Sequence, residues 1–266
     1  LVTESIDHGI NLKDFVAKAH GFIKDGKLKC KEYQKIVKYI FWQLCAVIHW
    51  LHDDMHCCHL NLSMEAIILH NAKFIENQDG SMCIDPSIMV KLSDFSKAEV
   101  FKPTDVTFRC MKHSLISTNN AQYLCPKLYN EEIFDARAED MWSLGMILLN
   151  CAIGEPLYES IGIFEVAKPK RGSGYWAVMT NQLKVYLATN NLTKFVNTKM
   201  LSMVQSLLII EESTRINAQS VLKHLWFKSY YKNYGKRIEK KSIKQAEELQ
   251  KQRAKMQSFP YYYCKY

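Results

Sequence analysis

The sequence has no run of about 18 uninterrupted apolar residues. The longest apolar stretch, Trp142 to Ile153, is interrupted by Ser143, Gly145 and Asn150, so no membrane span is expected. It has no C-x-x-C pair, only the adjacent Cys57 and Cys58 in an odd total of nine cysteines, which argues against a disulfide framework or a structural zinc site. A reducing, cytoplasmic setting is therefore the default expectation. Glycine (10) and proline (6) are too scarce for a fibrous or low-complexity chain, and no internal repeat is visible. At 266 residues, with 48% hydrophobic residues and 12% aromatics, the chain can bury a large core without covalent staples.

A net charge of +8 suggests an acidic partner until the charges are located. Nine Lys and Arg against three Glu between Lys232 and Lys255 put +6 of it in one C-terminal stretch. The remaining body is near neutral, so no specific nucleic-acid binding is expected of it. The tail reads as a mostly solvated basic helix, residues 231–266 forming a separate region.

Hydrophobic periodicity outlines the rest. Leu1 to Ile6 alternates like the end of a strand and runs into a turn at Asp7-His8-Gly9. A short helix is expected over 11–20 and a long one over 31–54, where Ile36, Tyr39, Ile40, Leu44, Val47, Ile48 and Leu51 form one stripe. Two extended stretches, 66–69 and 90–92, can pair as a hairpin around a polar insert, and 97–125 reads as loop. Residues 137–153 are apolar almost all round, as in a helix at the centre of a domain. Further helices are expected near 175–188, 198–210 and 217–225.

Three segments carry a resemblance. They are His59-Leu60-Asn61-Leu62-Ser63-Met64-Glu65-Ala66, Lys91-Leu92-Ser93-Asp94-Phe95-Ser96 and Asp140-Met141-Trp142-Ser143-Leu144-Gly145. In this order and spacing the chain resembles the C-terminal lobe of a eukaryotic protein kinase, with its catalytic loop H-R-D-L-K-x-x-N, its D-F-G motif and its D-x-W-S-x-G helix. Arg215 and Leu222 to Phe227 resemble the end of that lobe in calcium/calmodulin-type serine/threonine kinases. The resemblance implies a mainly α fold with a small β-hairpin over 11–230. It makes residues 1–10 the end of a strand and a hinge, with the N-terminal lobe absent from this sequence. A chain that opens inside a strand without Met reads as truncated.

The resemblance also implies a site, and this sequence departs from it. Asn61 stands where the catalytic Asp would be and Ala66 where an Asn would hold a second magnesium ion. An amide has no basic oxygen and a methyl no ligand atom. Loss of a general base alone costs about 10² to 10⁴ in rate, roughly 3 to 6 kcal/mol of barrier. Ser63 replaces the catalytic-loop Lys, Leu60 replaces the Arg that pairs with an activation-loop phosphate, and Ser96 replaces the D-F-G glycine. Asp94 alone matches, as a possible magnesium ligand. Thr3, Glu4, Ile6 and Asn11 match hinge positions that would approach ATP. Lys127 takes the place of the A-P-E glutamate, so Arg215 is expected to pair with a nearby acid such as Glu131 or Glu132. Asp140 is implied to accept hydrogen bonds from the catalytic-loop backbone. His49, His52, His56, His59 and the two cysteines among them read as packing residues rather than a zinc site.

A pseudokinase acting through protein partners is the leading expectation, with ATP and magnesium binding weak or absent. The rival is an active, divergent ATP-dependent serine/threonine kinase of which this is a fragment. A third reading is a degenerate fragment without function.

Overall fold

The computed structural model describes residues 9–102, 109–111, 121–125, 128, 133–154, 197–209 and 211–231. The expected helix at 175–188 and the basic tail from residue 232 onward lie outside them. The described residues up to Trp226 form one compact unit; Phe227 opens a second, described only to Tyr231 and containing the single turn Lys228–Tyr230.

A two-residue strand β1 (Ile10–Asn11) leads into helix α1 (Leu12–Lys24). The Asn11 side chain accepts from the Asp14 N–H, satisfying a first-turn donor that the helix itself leaves unpaired. Leu12, Phe15, Val16 and Ala19 are buried, the i, i+3, i+4, i+7 stripe of a core-facing helix. Helix α2 (Cys30–His49) buries Tyr33, Val37, Ile40, Phe41, Leu44, Cys45 and Ile48 along one face. The stretch expected as one helix to residue 54 instead widens into a π-turn at Trp50–Asp54, closed by Met55 N–H to Trp50 C=O at 3.0 Å.

The sheet is larger than the single hairpin expected. β3 (Ile67–His70) pairs antiparallel with both β1 and β6 (Met89–Leu92), giving the order β1-β3-β6. Gln43 of α2 brackets β6, donating to Ile88 C=O at 2.9 Å and accepting from Val90 N–H at 3.1 Å. Inside the polar insert, β4 (Phe74–Glu76) and β5 (Met82–Ile84) form a second hairpin. Phe74 stacks on Phe15 of α1 at 5.1 Å, which fastens this hairpin to the core. β2 (Cys57–Cys58) pairs with β7 (Glu99–Val100), and β8 (Arg109–Met111) with β9 (Ile133–Asp135).

Helix α3 (Ala136–Ile153) runs through the centre, with every residue but Arg137 buried. Asp135 caps its first turn and Gly154, at φ 81°, ends it. Gly145 is dictated by packing: a Cβ there would lie 2.6 Å from Leu208 Cδ2 and 2.9 Å from Leu207 Cβ. Helices α4 (Thr198–Leu207) and α5 (Ala218–Leu222) follow, each capped by an Asn, Asn197 and Asn217. Among the described residues no helix is long and apolar enough to cross a membrane.

Candidate active site

The loop between β2 and β3 is held from beneath by one buried carboxylate. Asp140 of α3 accepts from His59 N–H and Leu60 N–H, each at 2.8 Å, and His52 Nε2 lies 2.9 Å from its Oδ2. Those two backbone donors fix Leu60 at φ 58°, a left-handed conformation a leucine adopts only where its surroundings impose it. The Leu60 side chain is buried with Cys58, Phe101, Leu124, Leu128, Phe134 and Ala136. Where the kinase pattern places a phosphate-reading cation, this chain has an apolar plug.

His59 links the loop to the segment after β6. Its Nε2 donates to Ser93 C=O at 2.9 Å, its Nδ1 accepts from Asn61 N–H at 3.3 Å, and its ring packs on Phe95 at 4.6 Å. Burial holds its pKa below the usual imidazole range, which matches this neutral tautomer. The ligand atoms of His52, Cys58 and Asp140 lie within 4.8 Å of one another, all buried. The carboxylate of that group is already engaged by three N–H donors, an arrangement of a structural anchor.

The pairing of β3 with β6 brings the other two motif segments together. Asn61 Nδ2 donates to Asp94 Oδ2 at 2.6 Å, and Ser96 Oγ donates to Asp94 Oδ1 at 2.6 Å. Asp94 itself is left-handed, at φ 57° and ψ 58°. Ser63 Oγ accepts from Ala66 N–H at 3.1 Å, and Ala66 C=O accepts from both Ser93 N–H and Ser93 Oγ. Asn61, Ser63, Ala66 and Asp94 line a single cavity of about 580 Å³, whose wall also includes Lys13 and Glu65, ion-paired at 2.9 Å. Four of the site residues expected from sequence thus share one cleft. Asn11 commits its carboxamide to the α1 cap, accepting from Asp14 N–H at 2.8 Å and donating to Asp14 Oδ2 at 2.9 Å. Thr3, Glu4 and Ile6 lie outside the described residues.

Arg215 is buried. It donates to Ile209 C=O at 2.7 Å and to Ala138 C=O, reaches Cys125 Sγ at 3.4 Å and lies over the Trp142 ring at 5.3 Å. Lys127, Glu131 and Glu132 are outside the described residues. Among the described residues, a carboxyl that sequence reasoning missed interacts with it: Glu139, buried and accepting from Cys125 N–H at 2.8 Å. Burial pushes the Glu139 carboxyl up to about 8, while Arg215 and the Cys125 N–H pull it down. The signal was an acid directly before Asp140 at the start of an otherwise apolar helix.

The protein kinase domain family matches residues 1–227. The chain belongs to that family. It is similar to serine/threonine kinases: 25% identical over 193 residues to human ULK3, covering 73% of this chain and 34% of that protein. It is 28% identical over 125 residues to CHK1 of Saccharomyces cerevisiae, covering 47% of this chain and 20% of that one. With the SNF-related serine/threonine-protein kinase of Rattus norvegicus, it shares 28% identity over 126 residues, 47% of this chain and 14% of that protein. The matched stretch thus spans at most about a third of these relatives.

Kinase domains use ATP with magnesium, and residues of this cleft can be tested against that ion. The second-ligand position is a methyl, Ala66, and both oxygens of Asp94 already accept hydrogen bonds from the chain. The donor set is a poor fit.

Proposed function

We propose that this chain is the C-terminal lobe of a serine/threonine-kinase-like domain that works as a pseudokinase, binding protein partners with phosphotransfer lost. One observation carries the reading: at the position of the catalytic base, Asn61 presents an N–H that donates to Asp94 at 2.6 Å. A group that donates there cannot take a substrate hydroxyl proton. Nor do the two residues at the places that orient a transferring phosphoryl group in the family pattern supply a charge or a ligand, since Ser63 is bonded to Ala66 N–H and Ala66 offers only carbon. The buried Leu60 cluster supports a segment after β6 held by packing rather than by phosphorylation. The calcium/calmodulin-type flavour rests on Arg215 and Leu222 to Phe227 alone.

A second reading, an active divergent kinase, is favoured by one observation. Glu65 puts another carboxylate on the cavity wall, although Lys13 holds it at 2.9 Å. The longest natural form of the protein, given labelled ATP, magnesium and generic Ser/Thr substrates, separates the two. Background incorporation is expected. Turnover that survives Asn61→Ala and is abolished by Asp94→Ala or Glu65→Gln would establish the divergent kinase instead.

A further inference from the structure

The two in-chain donors to Asp94 both come from positions where this chain departs from the kinase pattern. Asn61 replaces an aspartate and Ser96 a glycine. Neither residue of the kinase pattern has a side-chain donor to offer; an aspartate at position 61 would instead bring a second negative charge against Asp94. We infer that the cleft takes no divalent cation, because the Asn61 carboxamide and the Ser96 hydroxyl compete for the Asp94 oxygens that a cation would need and Ala66 supplies no second ligand. The inference deepens the pseudokinase reading of the same site and rests on it.

Magnesium demands near-octahedral oxygen coordination, gives up water reluctantly, and is usually bound by one or two carboxylates plus phosphate oxygens. In this cleft a cation approaching Oδ2 meets the positive end of the Asn61 N–H dipole at 2.6 Å, and one approaching Oδ1 meets the Ser96 hydroxyl at the same distance. Each carboxylate oxygen keeps a second lone pair, so the two donors compete with a cation for Asp94 rather than fill it, and with Ala66 at the second-ligand position one weakened carboxylate is all the cation gains. The neighbouring oxygens are also engaged. Ala66 C=O accepts two hydrogen bonds from Ser93, Ser63 Oγ accepts from Ala66 N–H, and Glu65 is ion-paired with Lys13, whose ammonium adds positive charge to the cleft wall.

The same two contacts explain how the segment keeps its geometry. Asp94 stays in the left-handed region and the next residue, Phe95, packs on His59. Asn61 ties that arrangement to a loop 33 residues away in sequence.

Manganese(II) is the probe, its electron paramagnetic resonance signal falling as the free ion is taken up, with and without ADP, on the longest natural form of the protein. The wild type is expected to show no saturable uptake. Asn61→Asp combined with Ser96→Gly is expected to bind saturably and at least about tenfold more tightly, and adding Asp94→Asn to that pair is expected to abolish the gain. Circular dichroism checks that each variant is folded. Ser96→Gly alone, an exposed change, is expected to bind detectably but more weakly than the pair. Saturable uptake by the wild type that Asp94→Asn removes would overturn the inference, as would a folded double variant that gains nothing. Uptake without turnover in the labelled-ATP assay breaks this inference and leaves the pseudokinase reading standing; turnover without uptake does the reverse.

Discussion

Asp140 and Asp94 are both aspartates whose two oxygens accept hydrogen bonds from the chain, yet they do opposite work. Asp140 is fully buried, and its three partners are the backbone of the loop and a buried histidine. Asp94 is exposed at the rim of a cavity, and its partners are side chains that replace the kinase pattern. The residues that build the loop are those of the family; the residues that would do chemistry on it are not. On the proposed reading, the contacts that shape the loop and the groups that would do chemistry on it are different atoms of the same eight residues, so the first can persist where the second is replaced.

The sharpest way to break that comparison is Asp140→Asn. The amide keeps one acceptor but turns its N–H₂ toward a donor, leaving a buried N–H unpaired in a site from which water is excluded. A loss of roughly 3 to 5 kcal/mol is expected, and a fall in Tm of about 10 °C or more, read by thermal melting. A fall of only a degree or two would mean that Asp140 is no anchor.

Next in size is the pH dependence set by Glu139. Burial raises its folded-state carboxyl from 4.5 to about 8, so the folded state holds a proton that the unfolded chain has released. Its contribution is therefore fully present below about pH 4.5 and is lost as pH rises through about 8. The loss is on the order of a few kcal/mol. Urea melts at pH 5, 6.5 and 8.5 are expected to show this decline in the wild type and a flatter profile in Glu139→Gln. Parallel profiles would mean that Glu139 does not hold that proton in the folded state.

The sequence made the scaffold legible and half of the site. The nearly all-round apolar α3 follows from periodicity, and the order of three motifs locates the loop; the α2 stripe follows only at Ile40, Leu44 and Ile48, since Ile36, Tyr39 and Val47 are half-buried and Val37, Phe41 and Cys45 face the core beside them. The β4–β5 hairpin was hidden because its strands are three residues long and its surroundings polar, and what holds it is long-range: Phe74 against Phe15 and Phe22, and Met82 N–H donating to Lys27 C=O at 2.8 Å. The π-turn at Trp50–Asp54 continues the helical pattern without a sequence break. Asn61 is legible as an amide at the position where the family pattern has its base, but not as a donor to Asp94. That role depends on the register of β3 against β6, which sets two segments 33 residues apart within hydrogen-bonding reach.

The smallest expected effect belongs to Asn61→Ala, and it tests the other side of the comparison. Asn61 is nearly buried, but the carboxylate it serves is exposed, so removing the amide leaves Asp94 free to accept from water. No buried polar group is orphaned, since the Asn61 N–H still reaches His59 Nδ1 at 3.3 Å. The contact is charge-assisted, which in a buried setting is worth about 1.5 to 3 kcal/mol. Solvent at Asp94 reduces that to about 1 kcal/mol, a Tm loss of about 2 to 4 °C. A double-mutant cycle with Asp94→Asn is expected to give a coupling of about 0.5 to 1.5 kcal/mol, small beside the loss at Asp140. If Asn61→Ala instead costs as much as Asp140→Asn, the cleft is part of the folding scaffold, and the separation between the two aspartates fails.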